Sequence, residues 1–143
     1  MRLIICLSVL LNFSVFLHAQ DNNWQKDAEN SGIIFYTNKA ECHDIQNGTH
    51  VEYYLVQIHN TTDQQAEITW NTFLWSNETC LNCKEDRSDV KSFKVTIEAG
   101  ETIEGDCSNK DIKGLHIFSR FLNMATKIPV TRFSFQNINV KFN

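Results

Sequence analysis

The chain has 143 residues and a formal net charge of −4, with acidic and basic residues mixed along its whole length. That length suits one domain with a core of its own. The charge pattern offers no basic stripe to a phosphate backbone or an anionic membrane, which argues against a nucleic-acid partner.

Arg2, the apolar run Leu3 to Leu17 and the segment His18-Ala19-Gln20 have the three-part layout of a secretory signal peptide over residues 1–19. A transmembrane anchor is the weaker reading, because the run falls short of the roughly 20 residues a bilayer needs and is broken by Ser8, Asn12 and Ser14. Cleavage after Ala19 starts the mature chain at Gln20 or Asp21 and leaves no integral membrane segment. Loss of Arg2, the one charged residue of the leader, takes the net charge from −4 to −5. The expected location is secreted or periplasmic. Cys6 leaves with the leader, and Cys42, Cys80, Cys83 and Cys107 remain, an even number in a compartment where disulfides persist.

Residues 20–31 are polar apart from Trp24 and Ala28 and read as a loose N-terminal arm or a short helical turn, pinned by Trp24. The β domain is expected over 32–143. Gly32 to Thr37 (GIIFYT) is a short apolar run of β formers and predicts the first strand. Asn38 to Thr49 reads as a connection, holding Cys42, His43, Asp44 and the turn signal Asn47-Gly48. Next, Val51 to Ile58 carries apolar bulk on both faces, as an inner strand does. Asn60, Thr61, Thr62 and Asp63 cluster as turn formers, after which Ala66, Ile68, Trp70, Thr72 and Leu74 resume a period of two. A hairpin is the simplest reading of that pair, although a crossing between two sheets leaves the same trace.

Ser76 to Val90 reads as a polar loop carrying Cys80 and Cys83, with its run KEDRSD as a solvated face. Phe93, Val95 and Ile97 then alternate with Lys94, Thr96 and Glu98, giving one dry and one wet face. Ala99-Gly100 turns the chain into a short strand around Ile103. Leu115 to Leu122 fits helix or strand by pattern, and its all-β surroundings and preceding Gly114 favour strand. Pro129 limits helix in the segment before it. From Val130 to Phe142 the apolar phase changes between Phe135 and Ile138, which a bulge near Gln136 or Asn137 reconciles.

About seven short strands with turn signals between them predict a single antiparallel sandwich of immunoglobulin-like type. Val56, Ile68, Val95, Ile97, Ile117 and Phe133 are its expected core. The succession GIIFY, a cysteine loop, EYYLVQIHNTT, the ITW and FLW pieces, CLNC, VTIEAGETIEGDC and LHIFSRF resembles a group of small exported proteins of Bacteroidetes. The resemblance implies a bacterial exported sandwich and brings no catalytic residues.

If every connection reverses direction, the loops holding Cys42, Cys80 with Cys83, and Cys107 meet at one pole. Two disulfides are then favoured over a four-thiolate metal site, since a lone CxxC lacks the second pair of a zinc ribbon. Loop entropy favours bridges from Cys42 and Cys107 to the CxxC cysteines, with Cys80–Cys83 plus Cys42–Cys107 as the alternative. A thiol oxidoreductase would need a strand-to-helix setting for CLNC, and Lys84 stands where a c-type haem motif needs histidine. His43, Asp44 and His50 are candidate extra ligands at that pole, while His59 and His116 fall in strands. Trp70, Trp75, Phe73, Tyr53 and Tyr36 are the aromatic residues that would form a protein- or glycan-recognition surface, with a core role the plainer reading. Asn47, Asn60 and Asn77 head glycosylation sequons, relevant in a eukaryotic secretory route. The expectation is therefore an exported, non-enzymatic binding or structural module without a cofactor. The alternative is a thiol-based redox or metal-handling protein using the four cysteines.

Overall fold

A computed structural model describes residues 23–83, 92–108 and 112–143. The leader, the cleavage site and the KEDRSD run lie outside the described residues. The described residues are all-β and antiparallel, with nine strands among them: β1 Gln25–Asn30, β2 Ile33–Asp44, β3 Thr49–Asn60, β4 Ala66–Ser76, β5 Thr79–Cys80, β6 Ser92–Ile97, β7 Thr102–Glu104, β8 His116–Phe121 and β9 Arg132–Phe142. One sheet runs β1-β2-β3, and β7 and β8 follow one another along the free edge of β3. The other has β4 at its centre, with β9 along one edge and β6 then β5 along the other. The order β2-β3-β8 over β6-β4-β9 is that of strands A-B-E over C′-C-F in an immunoglobulin-like sandwich.

Alternation explains the layers. Ile33, Phe35, Val56 and Ile58 face inward from the first sheet, Ala66, Ile68, Trp70 and Ile97 from the second, and all are buried. Phe35 is the hinge of this packing, with its ring 5.4 Å from that of Trp70 and 4.9 Å from that of Phe135. Of the six expected core residues, Val56, Ile68, Ile97 and Ile117 are buried, and Val95 and Phe133 pack half-buried against them.

Three expectations are corrected. The arm at 20–31 contains β1, which pairs with β2 from Asn30↔Ile33 to Gln25↔Thr37 and is neither loose nor helical. Cys42 does not sit in a loop, because β2 runs on to Asp44 and pairs without interruption to Asp44↔Thr49. The partner strand decides this: β3 offers a continuous ladder, and the polar residues of β2 lie where the sheet passes beyond the apolar core. Lastly, β3 and β4 are not a hairpin, since the chain changes sheets between them. In β9 the expected bulge is present: between the pairs Thr69↔Asn139 and Asn71↔Gln136, the single β4 residue Trp70 lies opposite two of β9, Asn137 and Ile138, with Asn137 at φ 52°.

The change of sheet is built around Asn60, which is fully buried. Its Nδ2 donates to the carbonyls of Gln64 at 2.7 Å and Glu98 at 2.9 Å, and its Oδ1 accepts from the Thr62 N–H at 3.0 Å and hydroxyl at 2.7 Å. A glycan on the buried, fully hydrogen-bonded Asn60 is incompatible with this packing, whereas Asn47 and Asn77 are exposed. Asn60→Ala orphans several groups that each cost roughly 1–3 kcal/mol when unpaired. We expect it to lower the urea midpoint by at least about 2 kcal/mol in stability, and Asn60→Asp, which loses both N–H donors, to do no better.

Candidate functional site

The four cysteines form two bridges, Cys42–Cys107 and Cys80–Cys83, with Cα separations of 5.3 and 5.8 Å. The pairing that loop entropy favours is not the one adopted. Direction overrides it: Cys42 points to the outer face of the first sheet, opposite in parity to Phe35 and Thr37, while Cys80 and Cys83 lie at the edge of the second. The long bridge carries the segment after β7 across β3, where Val51 and Leu55 are buried although they face outward. It spans 65 residues, against 3 for the other. In the chain-entropy model the long bridge stabilises by about 4 kcal/mol and the short one by about 2 kcal/mol.

The short bridge has a local task. Along the edge of β4, β6 pairs as far as Asn71 and β5 starts at Trp75, and no described strand lies beside Thr72 to Leu74 there. Asn82 fills the gap with its amide: Oδ1 accepts from Leu74 N at 2.8 Å and Nδ2 donates to Thr72 O at 2.9 Å. Leu81 N also donates to Leu74 O at 2.8 Å. The Cys80–Cys83 ring holds these two residues against the strand they serve.

Beside this clip the two sheets part into a cleft of about 410 Å³, within the size range of small-molecule sites. Thr72 and Leu74 of β4, Phe93 of β6, Ile117 of β8 and Val130 line it. Gly114 is part of its wall, at φ +94°, and a Cβ there would come within 2.6 Å of the Phe93 ring and 2.9 Å of Trp70 Cζ2. Thr72 is 6% exposed, and its hydroxyl has no hydrogen-bond partner. In sequence Thr72 is one more member of an alternating strand, Gly114 a strand boundary and Asn82 a residue inside CxxC, so nothing there marks a site.

The other candidate residues are dispersed. His43 and His50 are cross-strand partners on the inner side, stacked with ring centroids 3.6 Å apart, so strand parity turns them away from Cys42. Asp44 accepts from the Asn47 N–H and amide in the β2–β3 turn. His59 Nδ1 lies 2.7 Å from Thr102 Oγ1, and His116 Nε2 lies 2.7 Å from Asp106 O. Among the described residues, no group of three or more His, Cys, Asp or Glu side chains is arranged to hold a metal ion. Trp70 is in the core. Phe73 and Trp75 share the outer face of the second sheet, where Arg132 lies 4.4 Å from the Trp75 ring centre. Tyr36 and Tyr53 sit on the outer face of the first, so the five aromatics make no single patch.

Where the sandwich passes beyond its apolar core, Glu52 is buried with charged company. Its Oε1 lies 3.1 Å from Lys39 Nζ, 3.1 Å from Arg120 Nε and 2.9 Å from Ser119 Oγ. Burial pushes this carboxyl up, but the hydrogen bonds from Ser119, Lys39 and Arg120 outweigh it and hold the group below its usual range. The charge thus serves as an internal tie between β2, β3 and β8.

No protein-family model, curated protein or solved structure matches the chain, so the site is read from geometry.

A carboxyl held low in the folded state contributes stability that is complete above its ordinary value of 4.5 and is lost as pH falls through the lower folded value. Glu52→Gln should therefore be less stable than wild type at pH 7, and the gap should narrow as denaturation is followed from pH 5 downward. At the clip, Asn82→Ala leaves Leu74 N and Thr72 O without their partner and should cost roughly 1–3 kcal/mol in urea denaturation. The Cys80→Ser/Cys83→Ser pair should cost less than Cys42→Ser/Cys107→Ser.

Proposed function

We propose that this chain is an exported, non-enzymatic binding module, located outside the cytoplasm as a secreted or periplasmic domain, and that its binding site is the cleft between β4, β6 and β8. The observation that carries this reading is a ligand-sized apolar cavity at an edge of the sandwich whose wall is secured by a dedicated disulfide and an amide clip. Apolar pockets of this size with one or few polar groups are the usual form of small-molecule sites. Export is supported by the leader-like layout of residues 1–19, by two bridges that suit an oxidising compartment, and by the resemblance to small exported Bacteroidetes proteins.

The competing thiol-redox reading would rest on Cys80–Cys83. Thr79–Cys80 is a two-residue strand followed by a bend, no helix N-terminus of the kind that lowers a thiol pKa is present among the described residues, and the bridge already has a structural task.

The test is a titration of the secreted, oxidised chain with p-xylene, an apolar probe of suitable size, followed by NMR. Saturable shifts centred on Leu74, Phe93, Ile117 and Val130, in a chain whose N-terminus is Gln20 or Asp21 and which has no free thiol, are the expected result. Absence of saturable binding at the cleft would remove the binding site. Two reducible thiols turning over with a dithiol substrate would establish the redox reading instead.

A further inference from the structure

The outer face of the first sheet changes character along β3. Towards Cys42 it is overlaid by the segment that the long bridge holds, and Val51 and Leu55 are buried there. Further along, Tyr36 of β2, Gln57 and His59 of β3 and Thr102 of β7 come to the surface. With Trp24, the residue before β1, they line a groove of about 340 Å³, at the small end of the range for ligand sites. Strand pairing sets their places, since Tyr36 lies opposite Gln57, Gln57 opposite Glu104 and His59 opposite Thr102. Two cross-strand hydrogen bonds then fix the side chains: Gln57 Nε2 donates to Glu104 Oε2 at 2.8 Å, and His59 Nδ1 lies 2.7 Å from Thr102 Oγ1. Each bond uses one end of its side chain. Among the described residues Gln57 Oε1 and His59 Nε2 have no hydrogen-bond partner, and neither is sealed from solvent.

We infer that this groove is a second binding site, for a neutral glycan. It is separate from the cleft, with which it shares no described lining residue. A sugar ring has a C–H face that packs on aromatic carbon and a rim of hydroxyls that both donate and accept. Trp24 and Tyr36 supply rigid aromatic surface at low entropic cost, with an indole N–H and a phenol hydroxyl at its margin. Gln57 and His59 add an acceptor and a ring nitrogen on side chains already held, so little ordering remains to be done when a sugar binds. A strand-adding peptide fits less well, because β2 lies between β1 and β3, and β3 between β2 and β7, so the groove offers side chains and no open ladder. An acidic sugar is disfavoured too: Glu104 stands beside Gln57, and Lys26, opposite Tyr36, is ion-paired with Glu29.

The experiment titrates the secreted, oxidised chain with cellohexaose, xylohexaose, mannohexaose and maltohexaose, and with the acidic hexagalacturonate, by NMR and calorimetry. At least one neutral sugar should give saturable shifts of the Trp24 indole N–H and of His59, and bind more tightly than hexagalacturonate. Trp24→Ala should weaken that sugar roughly fivefold or more, while Trp24→Phe, which keeps an aromatic face, should restore most of the affinity. If Trp24→Ala does not fold, a loss of similar size in His59→Ala decides the same question. Binding of p-xylene at the cleft should be unchanged in Trp24→Ala, so failure of p-xylene with sugar binding intact removes the cleft alone. Binding of none of the neutral sugars, tighter binding of hexagalacturonate, shifts confined to the cleft, or unchanged affinity in Trp24→Ala would overturn the glycan site.

Discussion

The sandwich depends on the way Asn60 lets the chain leave one sheet and enter the other. A backbone that exits a ladder abandons its pairing partners, and inside a protein those groups must be satisfied some other way. Asn60 does this from both ends of one amide. Its carbonyl oxygen receives the first groups of the crossing segment, and its N–H₂ reaches the carbonyls of Gln64 and Glu98. Its own backbone N–H donates to Glu101 O, so the β6–β7 turn is tied to the same residue. The β1–β2 turn joins through Thr61, whose N–H and hydroxyl both donate to Gly32 O. Gly32 approaches so closely that a Cβ would meet Thr62 Cγ2 at 2.7 Å, and its φ of +79° already favours glycine. Three turns of the fold therefore meet at Asn60 and its neighbour Thr61.

How far this is legible in the sequence depends on which force sets each feature. Where burial acts on alternate residues, the pattern shows it: Ala66 to Leu74 and Phe93 to Ile97 read as half-buried strands, and the phase change before Ile138 marks the β9 bulge. Where pairing alone sets the structure, the pattern is silent. Lys39, Glu41 and His43 look like a loop because they are polar, yet they sit on a strand whose inner side ends in the Glu52 ion cluster and not in the apolar core. Asn60 reads as a turn former and a sequon, and its burial is invisible in the sequence because it depends on contacts 38 residues away. The cysteine pairing escapes for a related reason: entropy ranks loops by length, but parity decides which way a thiol points.

The cleft belongs to the same class of hidden features. Thr72 keeps the strand's rhythm and lies on its inward face, so only the third dimension shows that it lines a cavity. Among the described residues no strand pairs with β4 at Thr72 to Leu74 on the edge carrying β6 and β5, and unpaired edge groups are the kind that invite a foreign strand. Asn82 blocks it with a side chain in place of a backbone. The CxxC spacing, which suggests redox chemistry when read alone, here makes a ring small enough to hold that side chain in register.

The unequal spans of the two bridges also order events when the chain first meets an oxidant. Cys80 and Cys83 are always near each other, whereas Cys42 and Cys107 meet only once β3 lies between β2 and the segment after β7. Closing the short ring early removes two of the three partners open to Cys42. The remaining thiols then have one another, and their bond seals a covalent loop around strands already in place. In an oxidising compartment the chain would need little help from a disulfide isomerase to reach the native pairing.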